Sequence, residues 1–400
     1  LRILFLSAWF PYPPDNGSRL RIFNLIRGLA HHHEITLVSF AEKVPNEPVQ
    51  VLEEICESIH VLPKTEYNEN STRALLGFLS RKPRVLADRY MLEMDRLIQD
   101  EITIGNHDLI IASQIYMADY LDKACDIPVV FDEVEVGVFV DAVREAGNVI
   151  SKTRRRLTLL KLQTYFQNLL FNFDYCTVVS STERQLLREI VPEFGLVEII
   201  PNGVDLASYR DIDEIPQPNR LIFTGSLTFI PNYDAMHWFV EQVYPLIQIE
   251  VPDVHLTITG DNTGQKLPDA RNVHLVGYVD DVRPFIASSW ISLAPIFSGG
   301  GTRLKILEAF ALRTPVIATT KGAEGLEVQH NEHLLLADTP EAFAEQTVRL
   351  LNDKNLRQKL VSNGYKLVFD MYDWSVIMPK YLRLIDHTVK SSRKNPEYIS

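Results

Sequence analysis

The chain has 400 residues, more than one hydrophobic core usually organises, so two domains of roughly 200 residues each are expected. Hydrophobic residues make up 46% and charged residues 23%, the balance of a soluble globular protein rather than a disordered one. A formal net charge of −12 argues against a nucleic-acid binder, because phosphate backbones are held by clustered Lys and Arg.

Cys56, Cys125 and Cys176 lie far apart, without the paired spacing of a zinc site or a disulfide framework, and are expected to be reduced thiols of a cytoplasmic protein. The opening LRILFLSAWF is too short an apolar run to cross a membrane and reads as a buried strand; lacking an initial Met, the chain is expected to be trimmed or processed.

In chain order, short apolar runs alternate with segments of helical period, the pattern of parallel sheets covered by helices. Strands are expected at Arg2–Ser7, Glu34–Phe40, Asp108–Ser113, Pro128–Asp132, Tyr175–Ser180 and Val197–Pro201. Helices are expected at Ser18–His32, Tyr116–Ala124, Gly137–Phe171 and Ser181–Ile190, the last capped by Ser180. Asn202-Gly203-Val204-Asp205 and the polar stretch to Arg220 break the pattern, placing a first domain at 1–205 and a second at 206–374. The second set of strands is Leu221–Gly225, His255–Gly260, Val273–Gly277, Ile291–Pro295, Pro315–Thr319 and His333–Ala337. Its helices are Asn232–Ile249, Asp281–Ser288, Thr302–Leu312 and Pro340–Leu351, followed by Leu356–Asp370 and Ser375–Lys390. Two successive doubly wound α/β sheets predict a deep cleft between domains, with ligands at the carboxyl ends of the strands.

The most informative stretch is Ser298-Gly299-Gly300-Gly301-Thr302-Arg303-Leu304-Lys305-Ile306-Leu307-Glu308, directly after a strand. The glycines let backbone N–H groups approach a ligand, and Thr302 as N-cap aims the free amides and positive dipole end of a helix at the loop. That suits a phosphate. Arg303 and Lys305 put positive charge in the first helical turn, where a cation is unfavourable unless an anion is bound beside it. Glu308 lies about two turns, roughly 10 Å, along the helix from Gly301 and offers its carboxylate to the hydroxyls of a ribose. The stretch is neither a Walker loop nor a first-strand dinucleotide fingerprint.

With SGGGTRLKILEAFALRTPVIATT, the segments IPNGVD (200–205), FTGSLTFIPNYDA (223–235), VHLVGYVDDVRPFIASS (273–289) and the opening ILFLSAWFPYPPDNGSRLR resemble a family 4 retaining glycosyltransferase of the GT-B fold. The subgroup most resembled makes bacterial exopolysaccharides and other surface glycans. The resemblance implies two Rossmann-like domains, a nucleoside diphosphate sugar as donor with a UDP-sugar favoured, no cofactor and no metal. The acceptor is a glycan, lipid-linked or small-molecule hydroxyl, and a final helix at about 375–392 packs back on the first domain. Carried over by residue, Glu308 binds the ribose and Ser298 to Thr302 present amides to the sugar and phosphates. Gly277, Tyr278 and Val279 border the base, Gly225 and Ser226 line the donor site, and Gly17, Ser18 and Arg21 approach the donor phosphates.

Three departures from the family pattern matter. Gly300 stands where members often carry a first glutamate, and the Arg and Lys usual near Ser226–Pro231 are missing, so Arg303 and Lys305 are expected to replace them. No His follows the strand ending at Asp132; Asp132, Glu133 or Glu135 is expected to take its role at the acceptor's proton or a sugar hydroxyl. A nucleotide-sugar 2-epimerase and a non-catalytic nucleotide-sugar-binding protein are the alternatives. The basic residues Lys152, Arg154, Arg155, Arg156 and Lys161 give a helix face for peripheral contact with the inner face of the plasma membrane, or a solvated surface.

Overall fold

The computed structural model describes residues 1–45, 49–68, 71–77, 80, 82–121, 126–144, 147, 149–300 and 303–391. They form two units: Leu1–Pro201 with the chain from Met378, and Asn202–Ile377. Each is a parallel sheet with helices in the crossovers, in the manner of Rossmann-like domains.

In the first unit the strands are β1 (Arg2–Ser7), β2 (Glu34–Ala41), β3 (Ser58–Pro63), β4 (Leu109–Ser113), β5 (Val129–Asp132), β6 (Tyr175–Val178) and β7 (Val197–Ile199), in spatial order β3-β2-β1-β4-β5-β6-β7. Phe5 is in register with Leu37 on one side and Ile111 on the other. Because helices cover both faces, consecutive residues such as Ile3, Leu4, Phe5 and Leu6 are all buried, which is why the strand reads as an unbroken apolar run. The order reverses between β1 and β4, so the carboxyl ends of these strands flank a switch point, with the helix Gly17–Ala30 following β1.

The second unit holds β8 (Arg220–Thr224), β9 (His255–Thr259), β10 (Val273–Gly277), β11 (Ile291–Ala294), β12 (Val316–Ala318) and β13 (Leu335–Leu336), in order β10-β9-β8-β11-β12-β13. Its switch point lies between β8 and β11. All the expected strands are found: β1 and β10 match end to end, β2 runs one residue further, β8 is shifted back by one residue, and the others are one to three residues shorter. The edge strand β3 and the helices Arg84–Arg89 and Leu92–Ile104 were not anticipated. The helix expected at Asn232–Ile249 is Ile230–Trp238, a wide π turn at Phe239–Val243, then Tyr244–Glu250. Pro245 has no N–H to continue the ladder, and the turn widens just before it. The span Gly137–Phe171 likewise divides into Gly137–Arg144 and Val149–Leu169, with Gly147 between them.

Beside the switch point, neighbouring strands run out into glycines with positive φ: Gly225 after β8 (+141°), Gly260 after β9 (+117°) and Gly277 ending β10 (+81°). Gly260 packs directly against the next turn, and a Cβ built on it would stand 2.4 Å from the carbonyl carbon and oxygen of Gly225. Backbone cannot yield as a side chain can, so Gly260→Ala is expected to destabilise the second unit by about 2–4 kcal/mol. Thermal unfolding checks this; a melting temperature equal to wild type would show that the close approach is dispensable.

Candidate functional site

At the second unit's switch point, β11 leads into the loop that carries Ser298, Gly299 and Gly300. Gly299 has φ +86°, and a Cβ there would meet the Pro231 ring at 3.3 Å. Gly301 and Thr302 fall outside the described residues. The helix begins at Leu304 with Arg303 as its N-cap, and that cap makes no side-chain bond. The helix start is therefore later than expected, and Glu308 stands about one turn into the helix rather than two.

Arg303 and Lys305 take different positions. Arg303 is buried, and its guanidinium donates to the carbonyl oxygens of Gly299 (2.6 Å), Gly300 (3.3 Å) and Lys321 (3.3 Å). It clasps the glycine loop from behind instead of standing as a cation in the first helical turn. Lys305 is half-buried; its Nζ lies 4.0 Å from the centre of the Phe223 ring and donates to Asn232 Oδ1 at 3.1 Å. A Cβ on Gly225 would come within 3.3 Å of that nitrogen, so the glycine leaves the space the amine occupies. Among the described residues no carboxylate lies within 4.0 Å of Lys305. Desolvation, then Arg303, pull the amine down to about 7, with Glu308 opposing them.

Glu308 accepts the Tyr209 hydroxyl at 3.4 Å, and burial pushes its carboxyl up to about 7. Tyr209 and Asn232 are the partners that sequence reasoning missed. Both come from outside the glycine segment, and only the Asn in PNYDA carried a local signal. Gly225, Ser226 and Gly277 lie at the same carboxyl edge; the Ser226 hydroxyl bonds Thr228 Oγ1 (2.6 Å) and the Asp261 carbonyl (3.1 Å). Tyr278 is exposed and Val279 half-buried beyond the end of edge strand β10.

In the first unit the carboxyl end of β5 brings Asp132, Glu133 and Glu135 together with Arg21 and Ser18. Arg21 and Asp132 are both 0% exposed and form a bidentate pair at 2.7 and 3.0 Å, with Thr177 also donating to Asp132 and Arg21 reaching the Ile200 carbonyl. Arg21 is thus fully engaged within the protein, with Asp132 as its counter-ion. The reason is mutual: each charge is fully buried and tolerable only beside the other.

Glu133 is placed differently, at φ +60°, an uncommon value for a residue with a side chain. Its Oε2 accepts Gln114 Nε2 at 3.0 Å, and the same amide reaches Ser18 Oγ at 3.2 Å, tying the helix that starts at Gly17 to the carboxylate turn. Burial, then the charge of Glu135, push Glu133 up to about 8 against the pull of Arg21. Glu135 is half-buried and raised to about 7 by burial and by Glu183, whose carboxylate caps the backbone N–H groups of Val136 and Gly137. Gln114, Thr177 and Glu183 were not anticipated.

Of the remaining sequence features, Cys56 and Cys176 are buried free thiols, and Cys125 is outside the described residues. On the helix Val149–Leu169, Lys152, Arg154, Arg155 and Arg156 are exposed alongside Leu157 and Leu160, whereas Lys161 Nζ donates to the carbonyls of Gly77 and Ser80. Among the described residues no helix is long and apolar enough to cross a membrane, and no group of three or more His, Cys, Asp or Glu is placed to hold a metal ion.

Removing Arg21 leaves Asp132 buried and unpaired, so Arg21→Met is expected to cost the first unit about 3–5 kcal/mol in equilibrium denaturation. An unchanged midpoint would show that the pair carries no structural load. For Glu133 the folded-state value lies above the unfolded one. Its contribution to stability is complete below about pH 4.5 and is lost as pH rises through about 8. Glu133→Gln should therefore match wild type near pH 4 and exceed it by on the order of 3 kcal/mol at pH 9; a difference independent of pH would contradict the buried, neutral carboxyl.

The family model described as Glycosyl transferases group 1 matches residues 218–353, most of the second unit. Over 394 residues the chain is 22% identical to a Klebsiella pneumoniae protein described as an uncharacterized 44.6 kDa protein in the cps region, covering 93% of this chain and 96% of that one. It is 28% identical over 208 residues to the phosphatidyl-myo-inositol mannosyltransferase of Mycobacterium leprae, covering 49% of this chain and 54% of that enzyme. Among solved structures, sucrose-phosphate synthase from Thermosynechococcus elongatus aligns with TM-score 0.68 at 18% identity, over 98% of this chain and 100% of that one. Anabaena HepE in complex with UDP-glucose aligns with TM-score 0.64 at 14% identity, over 96% and 99%. The two Rossmann-like units share the GT-B fold of these structures, and the match to the group 1 glycosyl transferase model lies within the second unit.

Proposed function

We propose that the chain is a retaining hexosyltransferase that takes its sugar from a UDP-sugar and delivers it to a hydroxyl acceptor without a metal. The observation that carries this reading is Lys305: a half-buried amine at the switch point of a parallel sheet, beside a glycine loop, with no carboxylate to neutralise it among the described residues. A donor diphosphate supplies the missing charge. The solved neighbour HepE holds UDP-glucose, which favours uracil as the base.

In this mechanism the amides of Ser298 to Gly300 and the Lys305 ammonium bind the diphosphate, Arg303 fixes the loop, and Glu308 with Tyr209 holds the ribose hydroxyls. Negative charge grows on the leaving diphosphate as the glycosidic bond breaks, so fixed amides and an ammonium stabilise the transition state more than the ground state. The anion raises the depressed Lys305 amine and keeps it protonated, doing the work a divalent cation performs elsewhere. Retention follows if the acceptor attacks the face the diphosphate is leaving and passes its proton to a phosphate oxygen. Glu133 and Glu135, both raised toward neutrality, are suited to hold a sugar hydroxyl or take a proton near pH 7.

Hydrolysis of UDP-, GDP- and ADP-glucose, followed by NMR with and without EDTA, tests donor, anomeric outcome and metal together. The expected result is slow release of α-glucose from UDP-glucose, unaffected by EDTA. Lys305→Met should lower turnover by about 10²–10³-fold with no loss of melting temperature, because a desolvated amine is replaced by an apolar chain. Unchanged turnover in that variant, or release of an epimerised sugar without acceptor, would overturn the reading.

A further inference from the structure

The first unit carries a second concentration of unneutralised positive charge, at the carboxyl ends of β1, β2 and β3, where a doubly wound sheet receives ligands. A shallow pocket there is lined by Ala8, Phe40, Lys64, Arg89, Tyr116 and Tyr120, among others, with an interior of ≈ 20 Å³. That is room for one or two water-sized groups and not for a whole sugar ring.

Lys64 follows β3 and lies over the Trp9 ring, its Nζ 2.9 Å from the ring centre. The Arg89 guanidinium lies 4.9 Å from the centre of the Tyr116 ring, and its Nε is buried without a hydrogen bond. The nearby carboxylates are already spent. Asp119 pairs with Lys82 at 2.8 Å and accepts the Tyr165 hydroxyl; Asp15 and Glu42 both pair with Arg19, at 2.9 and 3.7 Å. Among the described residues neither Lys64 nor Arg89 has a carboxylate within 4.0 Å. Burial, then the neighbouring charge of Arg89, pull the Lys64 amine down to about 8 against the opposing charge of Glu42. Tyr116, on its wall, follows β4, the neighbour of β5 whose carboxyl end carries Glu133 and Glu135.

We infer that this pocket is an acceptor subsite for an anionic group, so that the hydroxyl acceptor of the proposed transferase is itself negatively charged. Lys64 and Arg89 hold a phosphoryl or carboxylate group, and the rest of the acceptor lies outside the small pocket. Discrimination against neutral acceptors follows from the cost of leaving two cations close together without a counter-ion.

The inference rests on the transferase reading and is tested apart from it. Binding of glucose 6-phosphate, glucuronic acid and methyl glucoside to the full chain is measured by calorimetry and tryptophan fluorescence. Wild type is expected to bind at least one of the anionic sugars about tenfold or more tighter than methyl glucoside, and the stronger of the two identifies a phosphoryl or a carboxylate acceptor. Lys64→Met and Arg89→Met should each abolish the preference, and Lys64→Arg should keep it. Equal affinity for all three sugars, no binding of any, or a preference that survives both Met variants would overturn the subsite. UDP-glucose binding to the same variants separates the outcomes: donor binding without anion preference refutes the subsite alone, and failure of wild type to bind any sugar nucleotide refutes the transferase reading.

Discussion

A cation kept partly out of water without a counter-ion is costly, and the second unit is organised around one. Lys305 reaches its position because β8 ends in Gly225, which leaves the space, because Phe223 offers a ring face, and because Asn232 gives a neutral acceptor where a carboxylate would have quenched the charge. Arg303 keeps its charge but donates its N–H groups to three carbonyl oxygens, which ties down the glycine loop next to Lys305. The two basic residues, two positions apart, divide the work between shaping the site and charging it. In the proposed function, the charge such a site lacks is brought by the two phosphoryl groups of the donor.

The first unit meets the same problem with the opposite sign. Three carboxylates crowd the end of β5, and a buried arginine neutralises the deepest, Asp132. Glu133 and Glu135 are left raised toward neutrality. Arg21 therefore acts through its neighbours: it permits a cluster of acids to be folded together while leaving two of them able to exchange a proton near pH 7. The positive φ at Glu133 and the Gln114 bridge to Ser18 fix the turn that carries these carboxyls.

Much of this was readable in the chain. Parallel strands buried on both faces announce themselves as runs such as ILFL and LIIAS, and the glycine loop before a helix marks the turn after β11. What escaped had local causes. The edge strand SIHVLP is only half-buried, so its hydrophobic signal is weak, and the Thr302 cap was inferred from residue type although the helix proper starts at Leu304. The pairing of Arg21 with Asp132 spans 111 positions and that of Tyr209 with Glu308 spans 99, and no spacing rule reaches so far. A nearby glycine segment made Arg303 and Lys305 look alike; only packing separates the clasp from the free charge.

The central claim is that a nucleotide-sugar diphosphate is held at the Ser298–Gly300 loop with Lys305 as its counter-charge. Crystals grown with UDP-glucose, or soaked in it, test this most directly. Phosphoryl oxygens are expected within hydrogen-bond distance of the loop amides and of Lys305 Nζ, with that nitrogen drawn from Asn232 toward the phosphate. A diphosphate bound elsewhere in the second unit, with Lys305 still turned to Asn232, would contradict it.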